Sequence, residues 1–303
     1  MHSYKSKEMK KIYTVVVLLM IVISSNLQAQ QESLISQYTE QMSLFNPAAV
    51  SIGESSKLSI LHRRQWQGVA DAPTTTSLTY GFYAGKNVGL GLSVITDKVF
   101  IEQSTFVGID YSYRLQLDEQ STLYLGLKGG GNFYSVNTFN LRTYGYVVDP
   151  SLNSIANFTP NIGFGAYYTR GNFYLSLGSP RLLSTERATE NNGRVASSRD
   201  RMHYYSSVGY DFIVNEAYNL RLRPSIFARS VIGSPSSVDF NTMLSLDDKF
   251  TLGATYRTST SFAGIVQLAI NPNLMLGWTY EVYSEPELTN TGDTMEFLLS
   301  YKF

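Results

Sequence analysis

Three observations in the sequence predict an all-β protein, a transmembrane antiparallel β-barrel of about 14 strands with a short N-terminal plug-like segment. The first is the end of the chain. In residues 293–303 the large apolar Met295, Phe297, Leu299, Tyr301 and Phe303 alternate with the mostly polar Glu296, Ser300 and Lys302. A period of two gives a strand one apolar and one wet face, and here it runs to a terminal aromatic. The second is that the same period recurs in segment after segment of roughly 9–11 residues, the length a tilted strand needs to cross a bilayer. The third is that the connections sort by parity. Those after even-numbered segments (85–87, 116–121, 170–172, 215–217, 247–248 and 271–272) are short. Those after odd-numbered segments include every long one, above all 135–157 and 180–202, and only 258–261 is short among them. Barrels of bacterial outer membranes have short turns at one end and long loops at the other.

Taken in order, the chain opens with a targeting pattern over residues 1–29. Lys5, Lys7, Lys10 and Lys11 precede an apolar run at 12–23 and a small, polar exit ending at Ala29. That run is shorter than the ~20 residues a membrane-spanning helix needs, so it reads as a secretory signal cut near Ala29. Residues 30–55 do not alternate. Their Asn46-Pro47-Ala48 is a turn or helix-start signal, and the segment reads as a plug entering the barrel from the periplasmic side.

The barrel follows over 56–303. Its expected strands are 57–64, 75–84, 88–94, a fourth around 107–114, a fifth from Thr122, then 162–168, 173–178 and 207–214. After these come 220–229, 240–246, 250–256, 262–270, 274–282 and 295–303. Pro224 lies within the ninth and removes a ladder hydrogen bond, which predicts a bulge or a shorter strand. Tyr80, Tyr113, Tyr168, Tyr210, Tyr280 and Tyr301 fall near strand ends on the outward parity, as interfacial girdles do. Asp110, Arg114, Lys128, Asp211, Arg221, Arg223, Arg229, Arg257, Glu281, Glu296 and Lys302 fall on the inward parity. An Arg or Lys facing mid-bilayer lipid would cost about 2–4 kcal/mol.

The composition narrows the chemistry. The 303 residues carry 24 Lys and Arg against 24 Asp and Glu, so no charge excess points to nucleic acid. Cysteine is absent, which removes disulfides, thiol nucleophiles, thiolate metal sites and a lipid-bearing Cys. Beyond the signal only His62 and His203 remain, without metal-ligand spacing. A pairing of His203 with Ser206 or Asp211 is the one hydrolase-like option, and residues of that kind at strand ends are usually interfacial. Gly129-Gly130-Gly131 lacks the Lys-Ser/Thr of a phosphate loop and suits a strand bend or room for something packed inside. No catalytic residue, metal site or cofactor is expected, and the chain does not read as an enzyme. Expected partners are outer-membrane lipid and protein.

Particular residues carry a resemblance. Asn46-Pro47-Ala48-Ala49, Arg63-Arg64-Gln65-Trp66-Gln67-Gly68, Ala72-Pro73, Gly89-Leu90-Gly91-Leu92-Ser93, Asp97-Lys98 and Tyr111-Ser112-Tyr113-Arg114 resemble the PorP/SprF family of Bacteroidetes type IX secretion membrane proteins. The motifs are most specific in the first third of the mature chain. The family's aromatic-Ala-Gly after Asn-Pro-Ala is replaced by Ala49-Val50-Ser51, with Gly53 displaced. The resemblance implies a barrel that supports export or retention of a large surface protein, such as a gliding adhesin, by engaging its C-terminal sorting domain, alongside other secretion components. Arg63, Arg64, Gln65 and Trp66 form the candidate loop and partner motif, Asn46, Pro47 and Ala48 the plug motif, and Tyr301 and Phe303 the barrel-closing signal. The expected address is the outer membrane, crossed many times, with both termini periplasmic and the long loops extracellular. The Asn-Pro-Ala also resembles the fatty-acid transporter family. The alternative function is therefore a channel for hydrophobic small molecules, which requires an apolar pocket and an exit.

Overall fold

The computed structural model describes residues 34–53, 55–137, 155–183, 186–191, 194–199, 202–231, 236–258, 260–284 and 292–303. The signal segment and residues 138–154 of the first long loop lie outside the described residues. The strands are β1 (Lys57–Arg64), β2 (Thr74–Gly85), β3 (Val88–Val99), β4 (Glu102–Gln116), β5 (Ser121–Val136), β6 (Ile155–Arg170), β7 (Phe173–Ser179), β8 (Glu186–Asn191) and β9 (Arg194–Arg199). After them come β10 (His203–Tyr210), β11 (Phe212–Asn215), β12 (Leu220–Val231), β13 (Ser237–Leu246), β14 (Phe250–Arg257), β15 (Ser261–Ala269), β16 (Leu274–Tyr283) and β17 (Thr294–Lys302).

Fourteen of these close an antiparallel barrel. Each pairs with its neighbour in sequence, β1 pairs with the last strand, β17, and the pairs β7–β10 and β10–β12 complete the wall. β8 and β9 form a separate hairpin within the second long loop. Every segment expected to be a strand is one. Alternation follows the pleat: in β1 Ser59, Leu61 and Arg63 are buried inside while Ile60, His62 and Arg64 are exposed outside. The outer face is apolar, with Ile109, Leu127, Phe158, Ile162 and Phe297 each more than half exposed, as the lipid-facing band of a barrel requires.

Several boundaries differ from the sequence expectation. The connection read between Val94 and Val107 is strand almost throughout: β3 runs to Val99 and β4 starts at Glu102, leaving a two-residue turn. Ladder hydrogen bonds are made by the backbone, so pairing continues after the outward side chains turn polar at Thr96 and Lys98. Pro224 causes neither a bulge nor a shorter strand. It pairs with Thr242 in an unbroken β12–β13 register. The irregularity falls across the other edge, where β10 ends at Tyr210, β11 resumes at Phe212 in the same register against β12, and the register then shifts between Ile213 and Asn215. A proline lacks only its N–H, and the interruption is confined to the neighbouring strand opposite Pro224.

The core sits inside the barrel. Residues 35–51 cross the lumen as two short 3₁₀ turns, Tyr38–Leu44 and Pro47–Ser51. Ile35, Tyr38, Met42, Leu44, Phe45 and Ala48 pack there against Leu61, Ile95, Phe106, Tyr124, Tyr167, Tyr205, Phe227 and Leu298 from the wall. The segment leaves at the short-turn end, where β1 begins. Its first described residues sit in the long-loop half, since the Ser36 amide donates to Glu296 near the start of β17. The plug therefore runs through the lumen from the long-loop half to the short-turn end.

Candidate functional site

Two features define the interior: a cradle for the plug and a belt of paired charges above it. The cradle is built of inward glycines. A Cβ at Gly126 would lie 2.1 Å from the Ala48 nitrogen, one at Gly165 1.9 Å from Asn46 Oδ1, one at Gly81 2.1 Å from the Val50 carbonyl oxygen and one at Gly89 2.0 Å from Ser51 Oγ. Gly178 and Gly277 make the same room for Phe45 and Gln37. The Gly-rich strands that the sequence presents as plain alternation are thus the negative shape of the plug. Gly129-Gly130-Gly131 serves otherwise. Gly130 meets the Val107 carbonyl of β4, Gly131 meets the Phe158 ring, and Gly129 faces open space.

The plug motif is where the cradle closes. Asn46 caps the second 3₁₀ turn, its Oδ1 accepting from the Ala48 amide at 2.9 Å, while Nδ2 donates to the Ala166 carbonyl at 2.9 Å and to Ser176 Oγ at 2.8 Å. Pro47 occupies the first helical position, where its missing N–H costs nothing. Ala48, fully buried, is the size the gap over Gly126 admits. Tyr38 stacks on Phe227 at 4.3 Å and bonds Ser225, and Phe45 packs on Tyr205 and Phe227 at 5.0 and 5.1 Å. At the short-turn end Lys57 pairs with Glu40 at 2.6 Å. Burial pushes the Glu40 carboxyl up, but the Lys57 ammonium outweighs it and holds the group below its ordinary range.

The belt runs around one wall. Taken in the order of their contacts, Glu296 (β17), Arg63 (β1), Glu281 (β16), Arg257 (β14), Asp239 (β13) and Arg229 (β12) alternate in sign. Arg63 Nη1 lies 2.6 Å from Glu281 and 2.5 Å from Glu296. Arg257 pairs with Glu281 and, at 3.0 Å, with Asp239, which also takes Arg229 at 2.7 Å. Ser261 on β15 donates to Glu281, filling the one strand without a charge. Glu296 ties belt to plug by accepting the Ser36 amide at 2.9 Å. Three acids against three bases leave the row neutral. Across the lumen Lys128 bonds Asp110 at 3.1 Å, Ser93 at 2.6 Å and the plug carbonyl of Ser43 at 3.0 Å.

From the long-loop end the start of the second long loop folds in over the plug. Asn161 holds it by accepting from the Leu182 and Leu183 amides and donating to the Leu183 carbonyl, and Arg181 lies over the Phe106 ring at 5.2 Å. Between this loop, Leu44, Phe45 and Lys128 only about 20 Å³ remains, room for a water molecule. Among the described residues, plug, wall side chains and this loop pack the lumen.

The four-residue partner motif divides. Arg63 is a fully buried member of the belt, and Arg64 is exposed on the outer face at the end of β1. Gln65 starts the following loop, its amide bonded to the Pro73 carbonyl at 3.0 Å. Trp66 adopts a left-handed backbone conformation (φ 49°), and its carbonyl accepts from Val69. Tyr301 and Phe303 pack on each other at 4.9 Å on the outer surface, and Phe303 meets Tyr80 edge-on at 6.1 Å. His203 and Ser206 point to opposite faces of β10, while Asp211 follows its far end and pairs with Arg221 and Arg223, so the three do not converge. Of the inward charges, Asp110, Lys128, Arg229, Arg257, Glu281 and Glu296 are buried in the lumen as their parity requires. The cradle and the pairing within the belt were not legible, because they join residues from opposite ends of the chain.

A closed, plugged barrel of fourteen strands with an apolar outer band is an outer-membrane β-barrel protein, crossing the bilayer many times. Its fold is similar to that of the monoaromatic hydrocarbon channel CymD, with a TM-score of 0.52 at 9% identity, covering 87% of this chain and 91% of that one. Acinetobacter baumannii Omp33 gives a TM-score of 0.47 at 12% identity over 83% of this chain and 100% of that one. The Ralstonia pickettii toluene transporter TbuX gives 0.48 at 11% over 85% and 91%. No curated protein matches the sequence. The family is nonetheless clear. The model of the type IX secretion system membrane protein family PorP/SprF matches residues 27–301, and the chain belongs to that family.

Proposed function

We propose that this barrel has a non-catalytic role in type IX secretion: it supports export or surface attachment of a large cargo protein by binding the cargo's C-terminal sorting domain at its long-loop end. The observation behind this reading is the packed interior of a family member: among the described residues, plug, belt and inward loop occupy the lumen, which supports docking over conduction. By length, the loops 135–157 and 180–202, with Arg64, Gln65 and Trp66 at the same end of the barrel, are the surface we assign to the docked domain. In this reading that end faces outward and the C-terminus, at the short-turn end, faces the periplasm. Purifying the tagged protein from native outer membranes should bring down a large secreted protein, with the isolated sorting domain competing. Recovery of no partner, together with normal secretion in a deletion strain, would refute it.

The second reading is a channel for hydrophobic small molecules, and what favours it is the likeness in fold to the hydrocarbon channel. It requires an apolar passage, and the buried charges of the belt occupy that space. Uptake of a monoaromatic hydrocarbon or fatty acid that depends on the protein would favour it over docking.

A further inference from the structure

The outer wall is apolar up to its long-loop end on most strands, but not on β1–β4. There two consecutive outward ladder rows are polar. The lower row is His62, Thr76, Thr96 and Thr105, each paired with the next across adjacent strands. The upper row is Arg64, Thr74, Lys98 and Gln103 in the same register. Their outward direction is fixed by the buried residues between them, Arg63, Thr75 and Ile95. One row lower the wall is apolar again, with Ile60, Leu78, Val94 and Val107. Sideways, His62 and Arg64 pair with Phe297 and Met295 of β17, and Thr105 pairs with Phe133 of β5, while Gln103 of the upper row pairs with Ser135.

These rows contain two cations and no acid. Arg64 and Lys98 stand two strands apart, about 9–10 Å between backbones at ordinary strand spacing, and neither has a carboxylate partner among the described residues. Their neighbours are hydroxyl, amide and imidazole groups. His62 Nδ1 is 2.9 Å from Thr76 Oγ1, and the Thr96 and Thr105 hydroxyls are 3.0 Å apart, so the lower row is a connected band of polar side chains on the outer face. Beside the patch, with His62 at its margin, an apolar groove of about 520 Å³ runs over β15, β16, β17 and β1, lined chiefly by Ile60, Leu268, Leu276, Trp278, Phe297 and Leu299.

A polar patch in a lipid-facing wall needs a polar occupant, and an adjoining apolar groove needs a chain. We infer that this face binds a phosphorylated glycolipid of the outer membrane. Arg64 and Lys98 hold the phosphate groups, the threonine, Gln103 and His62 side chains meet the sugar, and an acyl chain lies along Ile60, Trp278 and Phe297. An Arg guanidinium matches phosphate oxygens in a two-pronged fork and a Lys ammonium as a point charge, and both act at the edge of a low-dielectric layer, where screening is weakest. The site lies on the outer face of the barrel and shares only Arg64 with the proposed docking surface; lipid binding is measured on the isolated protein, without cargo, so its outcome is distinguishable from that of docking.

The test uses the full-length protein in detergent, with native mass spectrometry and thermal unfolding as readouts and diphosphoryl lipid A as the probe. Lipid A should bind and raise the midpoint. Its dephosphorylated form, phosphatidylglycerol and inorganic phosphate should bind at least tenfold more weakly. The doubly substituted Arg64→Gln/Lys98→Gln protein should lose lipid A binding at least tenfold while keeping its heat-modifiable mobility. Equal binding of dephosphorylated lipid A, or unchanged binding by the double variant, would overturn the proposal. Equal binding of phosphatidylglycerol or inorganic phosphate would overturn the glycolipid assignment. The comparison of lipids on the unsubstituted protein decides the matter even if the double variant fails to assemble.

Discussion

Gly126 and Gly129 stand three residues apart on β5 with opposite surroundings. A methyl at Gly126 meets the plug backbone at 2.1 Å, and one at Gly129 meets nothing within 4 Å. Gly126→Ala should destabilise the folded barrel by about 1–3 kcal/mol, the usual cost of overpacking, and Gly129→Ala should be nearly neutral, both read from thermal unfolding. Arg63 gives a second expectation at this scale. Removing one partner of a buried ion pair costs about 3–5 kcal/mol because the other charge is left unpaired. Arg63→Met strands Glu296, so its unfolding midpoint in urea should fall well below that of Arg64→Met, whose side chain is exposed. Glu40 supplies a pH dependence. Its carboxyl is held below its ordinary range by Lys57 once burial has been outweighed. The stabilisation it contributes is therefore present above the unfolded carboxyl range and lost as pH falls through the lower folded value. Protease protection of the plug should weaken in that acid window, and Glu40→Gln should remove the pH dependence.

At the scale of the element, β17 joins wall, belt and plug. Its outward face supplies Phe297 and Leu299 to the lipid-facing band, and its inward Glu296 anchors both Arg63 and the Ser36 amide. It also closes the barrel against β1 through eight paired positions. Its last residue continues the strand, the Phe303 amide donating to the Ser56 carbonyl at 2.9 Å. Deleting Phe303 removes that bond and the ring contacts with Tyr80 and Tyr301, while belt and plug stay intact. The amount of assembled protein in outer membranes should fall, measured by heat-modifiable electrophoresis, with function per assembled molecule unchanged; normal assembly of the truncation would contradict this. β3 and β4 show where an element is hard to read. Their apolar alternation stops at Val94 and Val107, but the ladder continues to Val99 and Glu102, because outward side chains answer to what covers that face and backbone pairing does not.

At the scale of the whole molecule, closure and filling are separate achievements. Closure leaves the barrel wall without an edge strand, and the plug turns what would be a water-filled lumen into a packed core with buried Tyr38, Phe45, Tyr205 and Phe227. Reconstituted in a planar bilayer, the intact protein should show no steady ion conductance. A form lacking residues 34–51 should either conduct or fail to assemble, since it loses the core, the Glu40 partner of Lys57 and the Ser43 carbonyl that Lys128 engages. Steady conductance by the intact protein would contradict the filled lumen.

Strand count, the two faces of each strand and the existence of a plug were determined by the sequence alone. They rest on local periodicity, on loop lengths and on a motif, Asn46-Pro47-Ala48, that is contiguous in the chain. Arg63 marks the limit. By its neighbours it belonged with Arg64, Gln65 and Trp66 in a loop motif. By the pleat it points inward, and only the closure of β1 on β17 brings it to Glu281 and Glu296, more than two hundred residues away. The inward glycines are alike: their spacing says strand, but what they make room for is set by a segment from the start of the chain. Patterns that repeat every two residues can be read in one dimension, whereas the pairing of charges and the fit of a plug depend on distances that exist only once the sheet has closed.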